Sequence, residues 1–431
     1  MDPMAIASIA FFVFLFMGIP ITFVLGLTAV LTFLMMQDLV FLSLVPQRMF
    51  AGLNLFTIMA IPFFLLAAEL MTLSRITDDL VRFADALVGR LKGGLAHVNV
   101  IASAFFAGIS GSAIADVAGL GSIEIKAMTK AGYPKPFAAA LTVSSSLIGP
   151  IIPPSIIMVL YGSIMQVSIA AMFLGGILPG LLMILMLMGY IWLVADAKGF
   201  PRREEKLAPG ETWKAAKAAS LALMMPAIIL GGILSGAFTA TEAAAVAVAY
   251  AFLIGTVVKR TLKLRDIIPT LERVAIMTSV VFMVLATANI LAWIIGLERI
   301  PDAIANALTT ATDNPYLLFL LVNVVLILVG MFMDIGAAVI VLAPILGPTM
   351  IEAGIHPVHF GIVMSINLLV GLTTPPVGPC LFVAAGITGL RIERISVAML
   401  PFYVLQVIFL LAITYFPFLT LSLPRFFGYI Q

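Results

Sequence analysis

The chain has 431 residues, of which 62% are hydrophobic and 10% charged, and its formal net charge is +2 at pH 7. With a mean hydropathy of +1.20, this excludes a soluble domain and predicts an all-α polytopic membrane protein. A single cysteine, Cys380, excludes an internal disulfide and a cysteine-rich metal site.

Met1-Asp2-Pro3 offers no basic stretch of the kind that opens a cleaved signal peptide. Residues 4–36 are nearly unbroken apolar sequence, awkward as one span and short for two, with Gly18-Ile19-Pro20 the expected division. Phe41 to Phe56 carries Pro46, Arg48 and Asn54 and is expected to lie at the interface as an amphipathic arm. A span from Thr57 to Leu73 holds Glu69, and the charged stretch 75–92 lies outside the bilayer core. Leu95 to Ala107 is too short to cross, because a helix needs about 20 residues to do so. Gly108-Ile-Ser-Gly-Ser112 stops it, and residues 114–130 run apolar again. Leu95 to Lys130 therefore predicts a re-entrant helical hairpin with its tip at Ser110 to Ser112.

The span expected over 137–163 contains Val143-Ser-Ser-Ser-Leu-Ile-Gly-Pro-Ile-Ile-Pro-Pro-Ser155. Pro150, Pro153 and Pro154 remove amide donors, so carbonyls near Ser146 to Gly149 are expected to lose their helical partners. In lipid such groups survive only where protein or a water-filled cavity satisfies them, and bare carbonyls beside hydroxyls are what a small cation coordinates. A further span fills 170–195, and the hydrophilic linker 198–217 follows. Spans are expected at 218–235 and 242–258, then a basic arm at 259–273 and a span at 278–295. Residues 315–330 and 335–350 predict a second hairpin with its tip at Met331 to Asp334. A second broken span covers 358–389, and a last span 397–420.

Sliding the chain by 222 residues without a gap sets Gly149-Pro-Ile-Ile-Pro-Pro154 on Gly371-Leu-Thr-Thr-Pro-Pro376 and Gly108 on Gly330, with 12 identities over the 54 positions 104–157. Paired broken helices in two halves point to a secondary transporter. The halves are residues 1–197 and 218–431, joined by 198–217.

Of the 23 Lys and Arg, 20 fall in the segments 75–92, 126–135, 198–217, 259–273 and 391–394, which the span order puts on one side. That side is expected to be the cytoplasm. Five crossings separate the two broken spans, so the repeats have inverted topology.

The runs Gly108-Ile-Ser-Gly-Ser-Ala-Ile-Ala-Asp116, Gly149-Pro-Ile-Ile-Pro-Pro-Ser155, Gly236-Ala-Phe-Thr-Ala-Thr-Glu242, Gly330-Met-Phe-Met-Asp334 and Thr373-Thr-Pro-Pro-Val-Gly378 resemble the large membrane subunit of tripartite ATP-independent periplasmic (TRAP) transporters. The resemblance covers nearly the whole chain with the motif order intact. It implies an elevator-type fold of the ion-transporter superfamily kind and sodium-coupled import of small organic anions. It also implies the cytoplasmic (inner) membrane of a bacterial or archaeal cell as location, and a small four-span membrane subunit and a periplasmic solute-binding protein as partners. The small subunit is absent from the start of this chain, which suits the unfused form.

Sodium is a hard cation that takes oxygen ligands, and two or more coupling ions are expected. One is expected among Ser110, Gly111, Ser112, Ser145, Ser146 and Gly149, and a second among Gly330, Asp334, Gly371, Thr373 and Thr374. An organic anion is expected between the two tips, near Ser112, Ser155, Asn367, Thr374, Pro154 and Pro376, held by helix N-termini. Asp116 is either a helix cap or a further site residue, and Asp334 is likewise a cap or a cation ligand. Glu69 and Glu242 are expected to brace helices, and His97, His356 and His359 show no metal-ligand pattern.

The substrate class stays open among C4-dicarboxylates, sialic and other sugar acids, and keto acids. Two alternatives remain: a standalone ion or carboxylate symporter of related architecture that needs no binding protein, and a membrane-embedded enzyme. The latter has neither a nucleophile paired with a base nor a phosphate-cradling loop in its favour. The topology has a direct test. On a Cys380→Ser background, single cysteines replacing Arg203 and Asp313 are expected to label from opposite membrane sides, the first from the cytoplasm, and same-sided labelling would remove the inverted repeat.

Overall fold

The computed structural model describes residues 3–36, 39–202, 210–298, 314–375 and 377–430, and every regular element among them is helical. The apolar start divides as expected, α1 (Pro3–Phe16) packing against α2 (Ile21–Met35) across Gly18, whose φ is +77°, and Pro20. Next come α3 (Leu39–Leu53), α4 (Ala60–Leu73) and the strongly amphipathic α5 (Ile76–Val88).

The first hairpin is α6 (Gly94–Ser110) returning through α7 (Ala113–Ala118) and α8 (Leu120–Lys130). The broken span is α9 (Lys135–Ser145) and α10 (Ile148–Ile151), then α11 (Ile156–Ile164), bent by 43° at the break. After α12 (Ile169–Ala195), the second half runs α13 (Glu211–Leu234), α14 (Ala240–Leu253) with a π-turn to Val258, and α15 (Leu264–Leu297). The second hairpin is α16 (Pro315–Gly330) and α17 (Ile335–Glu352), and the second broken span is α18 (Pro357–Leu372) and α19 (Pro379–Thr388). The described chain closes with α20 (Ile392–Tyr415) and α21 (Phe418–Phe426).

Among the described residues, seven helices are long and apolar enough to cross a membrane, or eight with the bent pair counted as one span. Hairpin and broken span recur in the same order in both halves, as the 222-residue offset predicts.

Two boundaries differ from expectation. The basic arm and the following span form one 34-residue helix, α15. No Gly or Pro separates Arg273 from Thr278, and Pro269 sits early enough in the helix for a continuous ladder to follow it. The hydrophilic linker is partly helical, because α13 already starts at Glu211.

Helix starts are marked by side-chain caps. Thr239 and Glu242 form a reciprocal capping box, Ser168 accepts from the Ala171 amide at 3.2 Å, and Asn314 accepts from that of Tyr316 at 2.9 Å. Glu242 and Glu69 both brace helices: the first closes its capping box and the second meets Arg273 of α15 at 3.4 Å.

The helices pack as two sets that meet where α5 lies on α6 and α15 on α17. In one, α4 lies along α14, α2 and α3 along α15, and α5 along α13. Cross-links join the halves there: an ion pair between Lys259 and Asp79, a hydrogen bond from the Asn289 amide to the Arg48 carbonyl at 3.1 Å, and the Arg48 guanidinium 4.5 Å above the Trp293 ring. In the other group, α9 packs on α20, α11 on α17, α12 on α21 and α16 on α18.

The α16–α18 crossing is a backbone-to-backbone contact. A Cβ on Gly371 would lie 2.4 Å from the Gly330 carbonyl carbon, and one on Gly330 would lie 2.9 Å from the Leu368 carbonyl oxygen. Only small residues allow helices in a membrane to approach this closely. Gly371→Ala is therefore expected to cost about 1–3 kcal/mol through overpacking and to lower the thermal midpoint in detergent. Gly386→Ala, which meets nothing within 4 Å, is expected to leave the midpoint unchanged or raise it.

Candidate functional site

The first hairpin tip meets the first break directly. Gly111, with φ +56°, ends α6 in the left-handed conformation that only glycine adopts readily. A Cβ there would lie 2.5 Å from the Pro154 carbonyl oxygen, so the tip rests on the break's backbone. Ser112 caps α7, accepting from the Ala115 amide at 3.4 Å, and its own carbonyl lies 3.6 Å from the place of a Cβ on Gly149. The Ser110 hydroxyl turns back and accepts from the Ser112 amide at 3.5 Å.

The ladder is interrupted twice. The helix α9 stops at Ser145 and a tight turn follows, in which the Gly149 amide donates to the Ser146 carbonyl at 3.1 Å; the short α10, closed by the Ile152 amide on Ile148 at 3.0 Å, then opens again at Ile152 to Ser155. The carbonyls of Gly149 and Pro150 each face a proline four residues on, which can supply neither with a helical donor.

Ser145 does not turn toward the tip. It donates to Asn99 Oδ1 at 2.8 Å and receives the Ser103 hydroxyl at 3.1 Å, while Asn99 donates to Thr142 at 2.7 Å. Ser146 donates to the Val143 carbonyl at 2.8 Å. Both serines are fully buried and line the rear of the junction.

The second junction repeats the plan. Asp334 stands at the position equivalent to Ser112 and caps α17, accepting from the amides of Gly336 at 2.9 Å and Ala337 at 3.4 Å. The Gly371 carbonyl takes the Thr374 amide at 3.0 Å and faces Pro375 four residues on. Thr373 and Thr374 donate to the Val370 carbonyl at 2.9 and 2.8 Å.

Three polar residues that sequence reasoning missed hold these junctions. Gln406 of α20, fully buried, accepts from the Thr373 hydroxyl at 3.2 Å and donates to Ser144 at 3.4 Å; it links the two broken spans. Asn323 of α16 accepts from Asn367 at 2.8 Å and donates to Thr414 at 2.9 Å. Asn99 makes the matching contact in the first half, since Ser145 and Asn367 stand 222 positions apart.

Both tips and parts of both broken spans line one cavity of about 370 Å³. Gly111, Ser112, Pro150 and Ile156 form one side, and Asp334, Gly336, Leu369 and Leu372 another. The outer wall is Leu65 of α4 and Ile276, Met277, Val280 and Val281 of α15. Its size suits a small organic molecule. Asp334 is the only ionisable side chain among the lining residues.

Other residues expected beside a substrate are placed elsewhere. Ser155 is fully buried as the cap of α11, accepting from the Met158 amide at 3.4 Å. Asn367 donates to Asn323 while its own Oδ1 is buried without a partner, Thr374 turns back on Val370, and Pro154 faces Gly111; none of the four lines this cavity. Pro376 lies outside the described residues. Asp116 is buried one turn into α7 and does not reach the cavity.

Residues 8–419 match the family described as Tripartite ATP-independent periplasmic transporter, DctM component. The chain is 40% identical over 418 residues, 97% of each chain, to the sialic acid TRAP transporter large permease protein SiaM of Vibrio cholerae. To the C4-dicarboxylate TRAP transporter large permease protein DctM of Pseudomonas aeruginosa it is 39% identical over 404 residues, 94% of each. It matches the isethionate TRAP transporter permease protein DctMQ of Oleidesulfovibrio alaskensis at 39% over 431 residues, 99% of this chain and 66% of the relative. In fold it is similar to the YdaH transporter of Alcanivorax borkumensis, with a TM-score of 0.62, 16% identity, and coverage of 95% of this chain and 97% of that one. The chain belongs to the DctM family of tripartite ATP-independent periplasmic transporters, whose members named here are membrane permease subunits and not enzymes.

Proposed function

We propose that this chain is the translocating subunit of a sodium-coupled importer of small organic anions, working in the inner membrane with a small four-span subunit and a periplasmic binding protein that delivers the anion. The observation that carries this reading is the cavity shared by the two tips and the two broken spans, whose one ionisable lining residue is an acid. An anion entering it meets no Lys or Arg. It can be held by the amides at the start of α11, whose first residue lines the cavity, but only when cations offset Asp334 and the anion's own charge. Coupling to sodium supplies those cations.

The oxygen donors suit sodium: the carbonyls of Gly149, Pro150 and Gly371, the Ser112 and Thr374 hydroxyls, and the free lone pairs of the Asp334 carboxylate. Motion follows the elevator pattern in this reading. The hairpin-bearing helices α6–α12 and α16–α21 slide as a body along α4 and α15, carrying the cavity from one face to the other. The anion belongs to the C4-dicarboxylate, sugar-acid or keto-acid class, in keeping with the names of the relatives.

Uptake into proteoliposomes is expected to need both the binding protein and an inward sodium gradient, and full uptake in potassium-only buffer driven by a proton gradient would reject the coupling.

Asp334→Asn separates a cation ligand from a helix cap. Asn caps a helix about as well as Asp, so a cap alone predicts stability within about 1 kcal/mol and normal uptake. As a cation ligand, Asp334 contributes about 1–2 kcal/mol at an effective dielectric near 20. The variant should then raise the sodium concentration for half-maximal uptake roughly tenfold, with an unchanged melting temperature. An unchanged sodium half-saturation would leave Asp334 a cap only.

A further inference from the structure

The second hairpin carries a cavity at each end. Its tip, with Asp334, lines the central cavity, while its open end, at Pro315 and at Ala353 to Ile355, lines another of about 340 Å³. The 16 residues of α16 separate the two, a length of roughly 24 Å at about 1.5 Å per residue. Helix α20 starts in the basic segment at Arg391 and Arg394 and ends at Tyr415 beside this second cavity. The cavity therefore lies on the face away from the basic loops, which is the expected outer face.

Its lining has the opposite charge character to that of the central cavity. Arg425 of α21 lines it together with His356 and His359 at the start of α18, and no acid does. Arg425 is exposed and enters no ion pair among the described residues. Glu352, which ends α17 just before the lining begins, is exposed and does not reach it. A guanidinium set in a recess without a carboxylate to neutralise it is open to one from outside.

The neighbouring side chains add donors. His356 Nδ1 accepts from the Val358 amide at 3.2 Å, so the proton of the neutral ring sits on Nε2, where it can be donated. Tyr316 is 65% exposed and lines the same recess with its hydroxyl-bearing ring. Other polar groups are spent on holding the wall together: the His359 ring nitrogens meet Thr420 Oγ1 at 2.7 Å and the Thr414 carbonyl at 3.2 Å, and the Tyr415 hydroxyl donates to the Tyr316 carbonyl at 3.2 Å.

A fixed positive charge flanked by donors is what a carboxylate requires. At about 340 Å³, against about 370 Å³ for the central cavity, the recess suits a whole small molecule more than the tip of one side chain. We propose that this outer cavity is a second binding site for a small organic acid, whose carboxylate is held by Arg425 with His356 and Tyr316. A recess lined by one sign of charge raises the local concentration of the other, which the central cavity, lined by an acid, cannot do for an anion. The binding itself does not depend on sodium coupling.

Cysteine protection in the detergent-solubilised full chain reads the site. On a Cys380→Ser background, Ala353→Cys places a thiol in the lining, and its alkylation by N-ethylmaleimide is timed at fixed ionic strength with succinate, gluconate or pyruvate, and with uncharged succinamide or glucose. At least one of the three acids is expected to slow the reaction several-fold, and neither uncharged compound to do so. Adding Arg425→Gln should raise the acid concentration for half-protection roughly tenfold, the loss of one charge-assisted hydrogen bond. Arg425→Lys should recover part of that loss, and both variants should keep the melting temperature. Alkylation unchanged by all three acids overturns the proposal, as does protection that Arg425→Gln leaves intact. Protection by an anion-free periplasmic binding protein but by none of the acids also overturns it, and would give Arg425 to an acidic side chain of that partner.

Discussion

Every peptide group buried in a membrane protein needs a partner, and the fold is arranged around the places where the chain refuses one. Prolines at 150, 153 and 154, and at 375, deny the preceding turn its donors. Lipid cannot supply replacements, so each break is covered by protein. The covering piece is in each case the tip of the preceding hairpin, seated through glycine: Gly111 on the Pro154 carbonyl, and Gly330 on Gly371. The hairpins turn back inside the membrane because their tips are needed there.

This arrangement concentrates polarity in a thin layer. Gln406 ties the two broken spans to one another, and Asn99 and Asn323 tie each hairpin arm to its own broken span. These side chains are nearly inaccessible to solvent, and each hydrogen bond they make fixes the distance between two pieces of backbone whose own ladders are interrupted. The junctions are thus rigid despite their irregular backbone, a property any ion site built from carbonyl oxygens requires.

Most of this architecture was legible in the sequence because proline and glycine act locally. Their effect on the chain holds wherever the chain goes, so the hairpin tips at Ser110–Ser112 and Met331–Asp334 and the second break emerged at their true positions. The 222-residue offset was readable for the same reason. What could not be read depends on direction. A lone Asn or Gln within an apolar helix announces a buried partner but not which one, so nothing in the sequence singles out Gln406, Asn99 and Asn323 or pairs Asn323 with Asn367. The second interruption at Ile152 was not readable: the Gly149 amide closes a tight turn onto Ser146, and one further turn of helix forms before the prolines at 153 and 154 take effect. The long α15 was missed because five basic residues argued for an interfacial arm, whereas nothing in the chain between Arg273 and Thr278 actually stops a helix.

The outer wall of the central cavity consists of Leu65, Ile276, Met277, Val280 and Val281, and among these there is no hydrogen-bonding side chain. Contacts with such a surface are dispersive and without preferred direction. In the proposed elevator motion, a solute gripped by the tips is displaced along the wall in small steps, each exchanging one methyl neighbour for another, with no bond to rupture between them. For that proposed motion the wall is a bearing surface: it closes against the cargo without holding it at any one place.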